Sequence, residues 1–256
     1  MLEFFISFLL IGGGSLLLFM FYEARRNEVK THLFTFSHFP IGVTLTIFFI
    51  SDIHKRTLSS EMIEQVRKKA DIVVIGGDLM EKAVPLSKVE ENLEKLSVIG
   101  SVYFIWGNND HEVNTDDLKK LFAKKGVREI VNDSVRLELD GEAVYLIGVD
   151  DASTQRAVLP EALSKVDPSG FNILLSHDPR LVKQVRTEDG IDLMLSGHTH
   201  GGQIRILGWG LYKKGRVEQL PQTTLLVSNG YGTTAIPLRL GAPAETHLIT
   251  LKRDTE

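Results

Sequence analysis

Two histidines stand two residues apart in the glycine-rich segment SGHTHGGQ, at positions His198 and His200. They follow the apolar run IDLML, which is typical of a buried strand that ends here. Imidazole nitrogens bind metals and carry out acid–base catalysis, although neighbouring histidines in a loop are often only solvated. Metal-binding side chains at the ends of other predicted strands would favour a metal site over solvated histidines.

Four other apolar runs also end in residues that can bind a metal, in the sequences SDIH, GGD, GNND and SHD. The candidate metal ligands are therefore Asp52, His54, Asp78, Asn108, His177, His198 and His200. Each residue alone has an ordinary structural role, but the carboxyl ends of neighbouring strands in an α/β sheet meet in one crevice. Seven ligands are too many for one such cation. We therefore predict two divalent cations about 4 Å apart that share a bridging carboxylate, with Asp78 as the candidate.

The elements that must position these residues alternate between strands and helices in the first half of the chain. Amphipathic patterns predict helices over residues 59–70, 86–99 and 115–126. Strands are predicted over residues 43–50, 71–75, 101–106, 128–131, 135–139, 143–149, 171–176, 191–196, 223–228 and 246–251. This order predicts an α/β fold with two stacked mixed sheets flanked by helices.

Composition limits the classes of protein to which the chain can belong. Its 256 residues suffice for a large core, and the formal net charge of −4 disfavours a stable nucleic-acid partner. The absence of cysteine excludes thiolate metal sites and disulfides, so oxygen and imidazole nitrogen must hold any metal. Such ligands suit Mn²⁺, Fe or Zn²⁺, with Mn²⁺ as the first choice in vitro.

An apolar stretch without charged residues covers residues 4–22 near the N-terminus. As a helix it would reach roughly 28 Å, which matches a bilayer core, so we predict a transmembrane anchor. A cleaved signal peptide and a buried N-terminal helix are the alternatives. The basic residues Arg25, Arg26 and Lys30 follow the stretch and predict a single-pass protein whose catalytic domain faces the cytoplasm. We assign residues 23–40 to a juxtamembrane linker and residues 41–253 to the catalytic domain.

The motifs SDIH, GGDLM, GNND, LLSHDP and GHTHGGQIRI resemble those of the calcineurin-like metallophosphoesterases, in particular their membrane-associated bacterial branch. This resemblance implies a four-layer α/β/β/α sandwich that hydrolyses phosphoesters or phosphoanhydrides. It implies that Asp52, His54 and His200 hold one metal. It further implies that Asn108, His177 and His198 hold the other, and that Asp78 bridges them. A water activated by two cations would supply the attacking hydroxide, so no protein nucleophile is required.

One motif departs from the family pattern, in which a histidine follows the asparagine ligand. Here the chain reads Gly-Asn-Asn-Asp-His, and Asn109 cannot deliver a proton to a leaving group. Asn109, Asp110 and His111 are our candidate catalytic residues. His111 either replaces the missing proton donor or is merely exposed.

Basic residues near the motifs are candidates for contact with the substrate phosphate. Arg56 follows the first motif, either as a phosphate ligand or in a solvated turn. Arg239 matches a family pattern and either contacts substrate or closes the sheet. The segment WGLYKKG at 209–215 mixes aromatic and basic residues, as in an interfacial contact or an ordinary surface loop.

These observations predict a membrane-anchored phosphohydrolase whose substrate is a phosphorylated compound. The anchor favours an amphiphilic or lipid-linked phosphate, such as the UDP-diacylglucosamine cleaved by similar proteins. A phosphodiesterase or nuclease for soluble substrates is the alternative within enzymes. A metal-binding membrane scaffold with weak catalysis is the alternative outside them.

Overall fold

A computed structural model describes residues 1–254 of the chain. Its helices are α1 (Leu2–Ala24), α2 (Ser60–Val66), α3 (Leu86–Ser97), α4 (Thr115–Lys125) and α5 (Leu159–Leu163). The strands of the first half are β1 (Glu28–Phe36), β2 (Thr44–Ile50), β3 (Ile72–Gly76), β4 (Ser101–Ile105), β5 (Arg128–Glu129) and β6 (Asp133–Leu139). The remaining strands are β7 (Glu142–Gly148), β8 (Phe171–Leu175), β9 (Leu193–Ser196), β10 (Arg216–Leu220), β11 (Thr223–Val227) and β12 (Glu245–Arg253).

The strands form two six-stranded mixed sheets. The first sheet has the order β1-β12-β2-β3-β4-β5, and the second has the order β10-β11-β9-β8-β7-β6. Strands β2 to β5 run parallel, as do β7, β8, β9 and β11. All five strands that precede the candidate ligands therefore belong to parallel blocks, in which neighbouring carboxyl ends lie together.

Three apolar clusters hold the layers together. Phe49 and Val74 of the first sheet face Leu146 and Leu195 of the second in a buried core between the sheets. A second cluster packs the outer face of the first sheet against α2, α3 and α4, and a third packs the second sheet against α5. The predicted four-layer sandwich of two stacked sheets flanked by helices is confirmed.

Helix ends follow local capping chemistry. Ser59 accepts a hydrogen bond from the Met62 amide at the start of α2, and Asn114 accepts from two amides at the start of α4. Helix α4 ends at Gly126, whose φ of 68° lies in the left-handed region that glycine adopts without strain. These signals are local, and the predicted helices accordingly agree with α2, α3 and α4.

The segment that we assigned to a linker, residues 23–40, contains a strand. Strand β1 pairs in parallel with β12, from Glu28 opposite Glu245 to Phe36 opposite Arg253. Because β1 is at the edge of its sheet and half-exposed, it needs few apolar residues, and its polar sequence resembles a linker. Strand β10, at the edge of the other sheet, was missed for the same reason.

The N-terminal helix α1 is long and apolar enough to cross a membrane. It is exposed along most of its length, and its buried residues are Met20, Glu23 and Ala24 at the C-terminal end. Helix α1 is thus a candidate membrane span that contacts the domain only through its last turns.

Candidate metal centre

The carboxyl ends of β2, β3, β4, β8 and β9 converge at one edge of the two sheets. Asp52 and His54 follow β2, Asp78 follows β3, and the other predicted ligands follow the remaining three strands. Ligand atoms of Asp52, His54 and His200 lie within 4.8 Å of one another, as do those of Asp52, Asp78 and His177. The predicted ligands therefore lie in one place and form two adjacent groups that can each hold a metal.

Two carboxylates lie between the histidines of the two groups. Asp78 Oδ2 is 3.3 Å from His177 Nε2 and 3.7 Å from His54 Nε2. Asp52 Oδ1 is 3.3 Å from His200 Nε2 and 4.0 Å from His177 Nε2. Each carboxylate faces histidines of both groups, so Asp52 is a second candidate bridge beside Asp78.

The remaining pair of predicted ligands, Asn108 and His198, extends the second group. His198 Nδ1 lies 2.9 Å from Asn108 Oδ1 at the entrance to the site. The His198 backbone amide donates to Asp52 Oδ1 at 3.1 Å, which ties the His198 loop to the first group. His198 therefore presents Nδ1 to the second group, in which Asn108 offers its amide oxygen.

The backbone at this site adopts conformations that most side chains avoid. Five of the seven predicted ligands have positive φ, namely Asp52, His54, Asp78, His198 and His200. A non-glycine residue in the left-handed region costs roughly 1–2 kcal/mol. Such strain is typical of functional sites, where the surrounding fold holds side chains at a required position.

Glycine is needed where the backbone passes the ligands. A Cβ atom on Gly107 would lie 2.3 Å from Asp78 Oδ1, and one on Gly197 would lie 2.4 Å from Asp52 Oδ2. These distances are far shorter than van der Waals contact. A larger residue at Gly107 would therefore displace the Asp78 carboxylate, and one at Gly197 would displace that of Asp52.

The ligand atoms are in a suitable state to receive cations. His177 donates from Nδ1 to the Gly76 carbonyl at 2.8 Å, and its buried Nε2 has no hydrogen-bond partner. A hydrogen bond at one ring nitrogen fixes the tautomer and directs the other nitrogen to a metal. The buried Nε2 beside Asp78 is available to bind a cation, so the residues fit a metal.

The electrostatics of the site favour ionised carboxylates. Burial acts to raise the pKa of Asp52, but the neighbouring His200 and His177 imidazoles outweigh it and hold this pKa below its usual value. Burial likewise opposes the ionisation of Asp78, whose pKa is nevertheless lowered by the nearby His177 imidazole. Burial also lowers the pKa of His200 to about 3, which leaves a neutral imidazole, whereas neighbouring carboxylates raise the pKa of His54 and of His177 despite their burial. Metals bind ionised carboxylates and neutral imidazoles, so cation binding would release protons from His54 and His177.

Glu81 is a functional candidate that the sequence motifs did not reveal. Its Oε2 lies 3.0 Å from His54 Nδ1, so Glu81 faces the ring nitrogen opposite the one at the metal site. This close contact with His54 lowers the pKa of Glu81 to about 2, and Lys55 pairs with its other oxygen. Carboxylates of this kind orient metal-binding histidines. The only sequence signal is the spacing of three residues from Asp78.

The three candidate catalytic residues have different surroundings. Asn109 donates from its backbone and side-chain nitrogens to the Asp78 carboxylate, at 2.9 and 2.6 Å, and lines the opening of the site. Asp110 is fully buried and accepts from the amides of Asp78, Met80 and Gly107. Burial and the Asp78 charge raise the pKa of Asp110 to about 7. We therefore interpret Asp110 as a positioning residue for the turn that carries Asp78.

His111 lies beside the site rather than in its opening. Its Nε2 is 2.6 Å from Asp150 Oδ1, and its ring stacks on Trp106 with the centroids 4.9 Å apart. Both contacts fix the orientation of the imidazole. A role for His111 as the proton donor remains a prediction that activity measurements must test.

Neither predicted substrate arginine lines the opening. Arg239 has an exposed fraction of 0%, and its guanidinium donates to backbone carbonyls and approaches His200 Nδ1 at 3.1 Å. Arg56 stacks on Tyr231 and donates to the Ala24 and Arg26 carbonyls at the end of α1. Both arginines are engaged with the protein itself, so we interpret them as positioning residues instead of substrate ligands.

The opening of the site is a cavity of about 230 Å³. The residues that line it are Asp78, Asn108, Asn109, His198, Thr199, His200, Gly202, Gln203, Leu211, Tyr212 and Thr234. Pockets that enclose whole drug-sized ligands are larger, roughly 300–1,000 Å³. The cavity therefore suits a phosphate group, and the remainder of a larger substrate must extend past its rim.

Comparison with known proteins agrees with this geometry. A model of the family described as calcineurin-like phosphoesterase matches residues 45–202. The chain is 44% identical over 234 residues to "Uncharacterized protein YpbG" of Bacillus subtilis (strain 168), covering 91% of this chain and 90% of the relative. It is 33% identical over 240 residues to "Transmembrane protein with metallophosphoesterase domain" of Bos taurus, covering 82% of this chain and 54% of that protein.

Two solved structures share the fold at low sequence identity. The sulfate thiohydrolase SoxB of Thermus thermophilus has a TM-score of 0.55 at 14% identity, covering 81% of this chain and 56% of that one. A 5'-nucleotidase precursor, also from Thermus thermophilus, has a TM-score of 0.54 at 15% identity, with coverages of 81% and 55%. The chain thus spans just over half the length of these structures.

The family match covers the motifs from SDIH to GHTHGG, and it agrees with the two groups of metal-binding side chains found at the strand ends. Together with the 44% identical relative, it shows that this chain belongs to the calcineurin-like phosphoesterases, a family of metal-dependent phosphoester hydrolases with a binuclear site.

Proposed function

We propose that this protein is a membrane-anchored phosphohydrolase that cleaves a phosphoester or phosphoanhydride bond of an amphiphilic, lipid-linked substrate. The observation that carries the proposal is the composition of the opening. Metal ligands and Asn109 line one part of it, and the apolar side chain of Leu211 and the aromatic ring of Tyr212 line another. A phosphate can enter while an apolar group rests on the rim.

The two metal groups and Asn109 have separate parts in this proposal. Bound divalent cations would activate a water and polarise the phosphate oxygens. Asp78 and Asp52 supply the negative charge that balances the cations, and Asn109 holds Asp78 in place through two hydrogen bonds. No histidine of the opening occupies the position of Asn109, so the leaving group must depart with little help from a proton donor.

The donor set guides the choice of metal. Imidazole and carboxylate groups suit Mn²⁺, Fe and Zn²⁺ better than Mg²⁺ or Ca²⁺. We propose Mn²⁺ as the first metal to test, with Fe and Zn²⁺ as alternatives.

The anchor supports a substrate that lies at a membrane. Helix α1 has the length and composition of a membrane span, and the relative from Bos taurus is named a transmembrane protein. Arg25 and Arg26 follow α1 directly, which favours a domain on the cytoplasmic face.

The test is a panel of phosphate compounds assayed with the metal-loaded full chain. The panel contains p-nitrophenyl phosphate, a bis(p-nitrophenyl) diester, nucleoside monophosphates, and alkyl pyrophosphates of increasing chain length. We expect kcat/KM to rise with alkyl chain length. Higher activity on nucleotides than on any alkyl compound would favour the soluble-substrate alternative. No turnover with any metal would favour a scaffold.

A further inference from the structure

An exposed apolar segment borders the opening of the metal site. Residues 204–214, here called the apolar loop, contain five exposed large hydrophobic residues: Ile206, Leu207, Trp209, Leu211 and Tyr212. The exposed fractions of Leu207 and Trp209 are 96% and 85%. A contiguous apolar patch on a protein surface marks a contact with a protein, a ligand or a membrane.

The tip of this loop is a tight turn that presents a leucine outward. Ile206 and Trp209 exchange two backbone hydrogen bonds across the turn formed by Leu207 and Gly208, whose φ values are 50° and 86°. Turns of this shape favour asparagine or aspartate followed by glycine. Leucine gains no burial within the chain that would offset the strain of its positive φ, which favours a contact with a surface outside the chain.

Arg205 keeps the loop in shape from within. Its guanidinium donates to the carbonyls of Gly201 and Gly208 at 2.9 and 2.6 Å, and also to Tyr212. Because the polar backbone groups are satisfied internally, the apolar side chains are free to face away from the domain.

The apolar loop lies next to the end of α1. Arg205 donates from its backbone to the Leu240 carbonyl at 2.8 Å, and the Arg239 amide donates to the Met20 carbonyl of α1 at 3.0 Å. The Gly241 amide also donates to the Glu23 side chain at 2.8 Å. Residues 239–241 therefore contact both the apolar loop and the last turns of the candidate membrane span.

Charge at this face complements an anionic membrane surface. Lys213 and Lys214 end the apolar loop and are exposed, and Arg25 follows α1 with its guanidinium over the Phe21 ring. Apolar side chains flanked by basic residues are typical of segments that lie in the interface of a bilayer.

We propose that the apolar loop inserts into the interface of the leaflet at which α1 ends. This inference rests on the proposed function, because it requires α1 to cross a membrane. Insertion of Leu207 and Trp209 places the rim residues Leu211 and Tyr212 at the lipid surface. The opening then takes phosphates whose apolar portion stays in the bilayer.

Tryptophan fluorescence of the full chain in vesicles tests the insertion without reference to catalysis. The two tryptophans differ sharply, since Trp209 is exposed and Trp106 has an exposed fraction of 2%. The chain is reconstituted into phosphatidylcholine–phosphatidylglycerol vesicles whose acyl chains are brominated near the glycerol end. We expect bromination to lower Trp209 emission about twofold, because interfacial side chains reach roughly 5–10 Å into the headgroup boundary.

The variant Trp209→Phe identifies the quenched signal, because only Trp106 remains and its emission is expected to be insensitive to bromination. Equal emission of the wild-type chain in brominated and plain vesicles would overturn the proposal. Full access of aqueous iodide to Trp209 in vesicles would also overturn it.

A second arm links the loop to substrate. The double variant Leu207→Ser and Trp209→Ser removes side chains that do not line the cavity. We expect its KM for a long-chain alkyl pyrophosphate in vesicles to rise about tenfold or more, because each side chain loses its burial in lipid. KM for p-nitrophenyl phosphate is expected to stay within about twofold of the wild-type value, because this soluble substrate has no alkyl chain in the bilayer.

The matched control is Val98→Ser, which removes an exposed apolar residue at the end of α3. Equal KM changes for both substrates would contradict a membrane role for the loop. Absence of all turnover would contradict the proposed function, whereas the fluorescence result stands independently.

Discussion

At the scale of single residues, Glu81 is the strongest test of how the metal histidines are oriented. Its Oε2 is 3.0 Å from His54 Nδ1, and its other oxygen pairs with Lys55. We expect Glu81→Gln to lower metal affinity by about 10–100-fold, the range for outer-shell partners of metal ligands. Titration of activity with Mn²⁺ measures this shift, and saturating metal should restore most of kcat.

The matched control for Glu81→Gln is Glu91→Gln. Glu91 forms an exposed ion pair with Lys95 on α3, outside the site. Identical metal titrations of Glu81→Gln and the wild type would show that Glu81 does not orient His54.

The replacement of histidine by Asn109 predicts dependence on the leaving group. A general acid contributes about 10²-fold or more when the departing oxygen is basic, and little for a stable anion. We expect Asn109→His to raise kcat for alkyl esters more than for aryl esters. Because Asn109 also holds Asp78, Asn109→Ala is the control for loss of that hydrogen bond.

His111 supplies the competing explanation for proton transfer. If the wild type cleaves alkyl and aryl esters equally well and His111→Ala selectively abolishes alkyl cleavage, then His111 is the acid. That outcome would contradict our interpretation of Asn109. If His111→Ala keeps the wild-type preference between alkyl and aryl esters, then His111 takes no part in the reaction. This result would agree with the contacts of its ring with Asp150 and Trp106.

Sequence motifs were sufficient to name the candidate ligands because each lies within a few residues of a buried strand. Asp52 and His200 could be predicted from such local signals, and the fold brings them together. Glu81, the partner of His54, could not be predicted from sequence, because it acts through a side-chain contact between two loops. The burial of Arg239 was equally unpredictable, since a charged residue in a sequence is normally expected at the surface.

At the scale of elements, the junction between α1 and the domain depends on Arg56. Its guanidinium donates to the Ala24, Arg26 and Tyr231 carbonyls, and burial lowers its pKa. We expect Arg56→Ala to lower the free energy of unfolding by about 1–3 kcal/mol, because buried carbonyls lose their donor. Thermal unfolding of the full chain in detergent measures the change.

Limited proteolysis gives a second readout of the same junction. Cleavage between α1 and β1 should become faster in Arg56→Ala than in the wild type. The control is Arg67→Ala, which removes an exposed ion pair with Glu64. A melting temperature and cleavage rate equal to those of the control would contradict a clamping role for Arg56.

Strands buried in the sandwich could be predicted from sequence, whereas edge strands could not. Strand β2 is apolar apart from Thr44 and Thr46, because both of its faces are covered over most of its length. Strand β1 has only a half-buried surface and pairs with β12 from the opposite end of the chain. Neither its polar composition nor its distant partner leaves a local signal, which explains the mistaken linker.

At the scale of the whole molecule, the proposed function requires an anchored domain. We expect cell fractionation to recover the full chain with membranes, resistant to carbonate extraction, because α1 is almost entirely exposed and apolar. Protease added to intact cells should leave the domain uncut if Arg25 and Arg26 hold it inside. Digestion from outside would refute the orientation, and recovery in the soluble fraction would refute the anchor.

The binuclear site is the central claim, and metal content measured together with turnover tests it most directly. The measurement compares the purified full chain with Asp78→Asn, and uses Asp140→Asn in the exposed turn after β6 as the control. We predict two divalent ions per wild-type and control chain, and turnover of an aryl phosphate that chelation abolishes and Mn²⁺ restores. Asp78→Asn should hold one ion or none, with activity reduced by more than the ~10–100-fold typical of outer-shell partners. Two bound ions and near-normal turnover in Asp78→Asn would contradict the account.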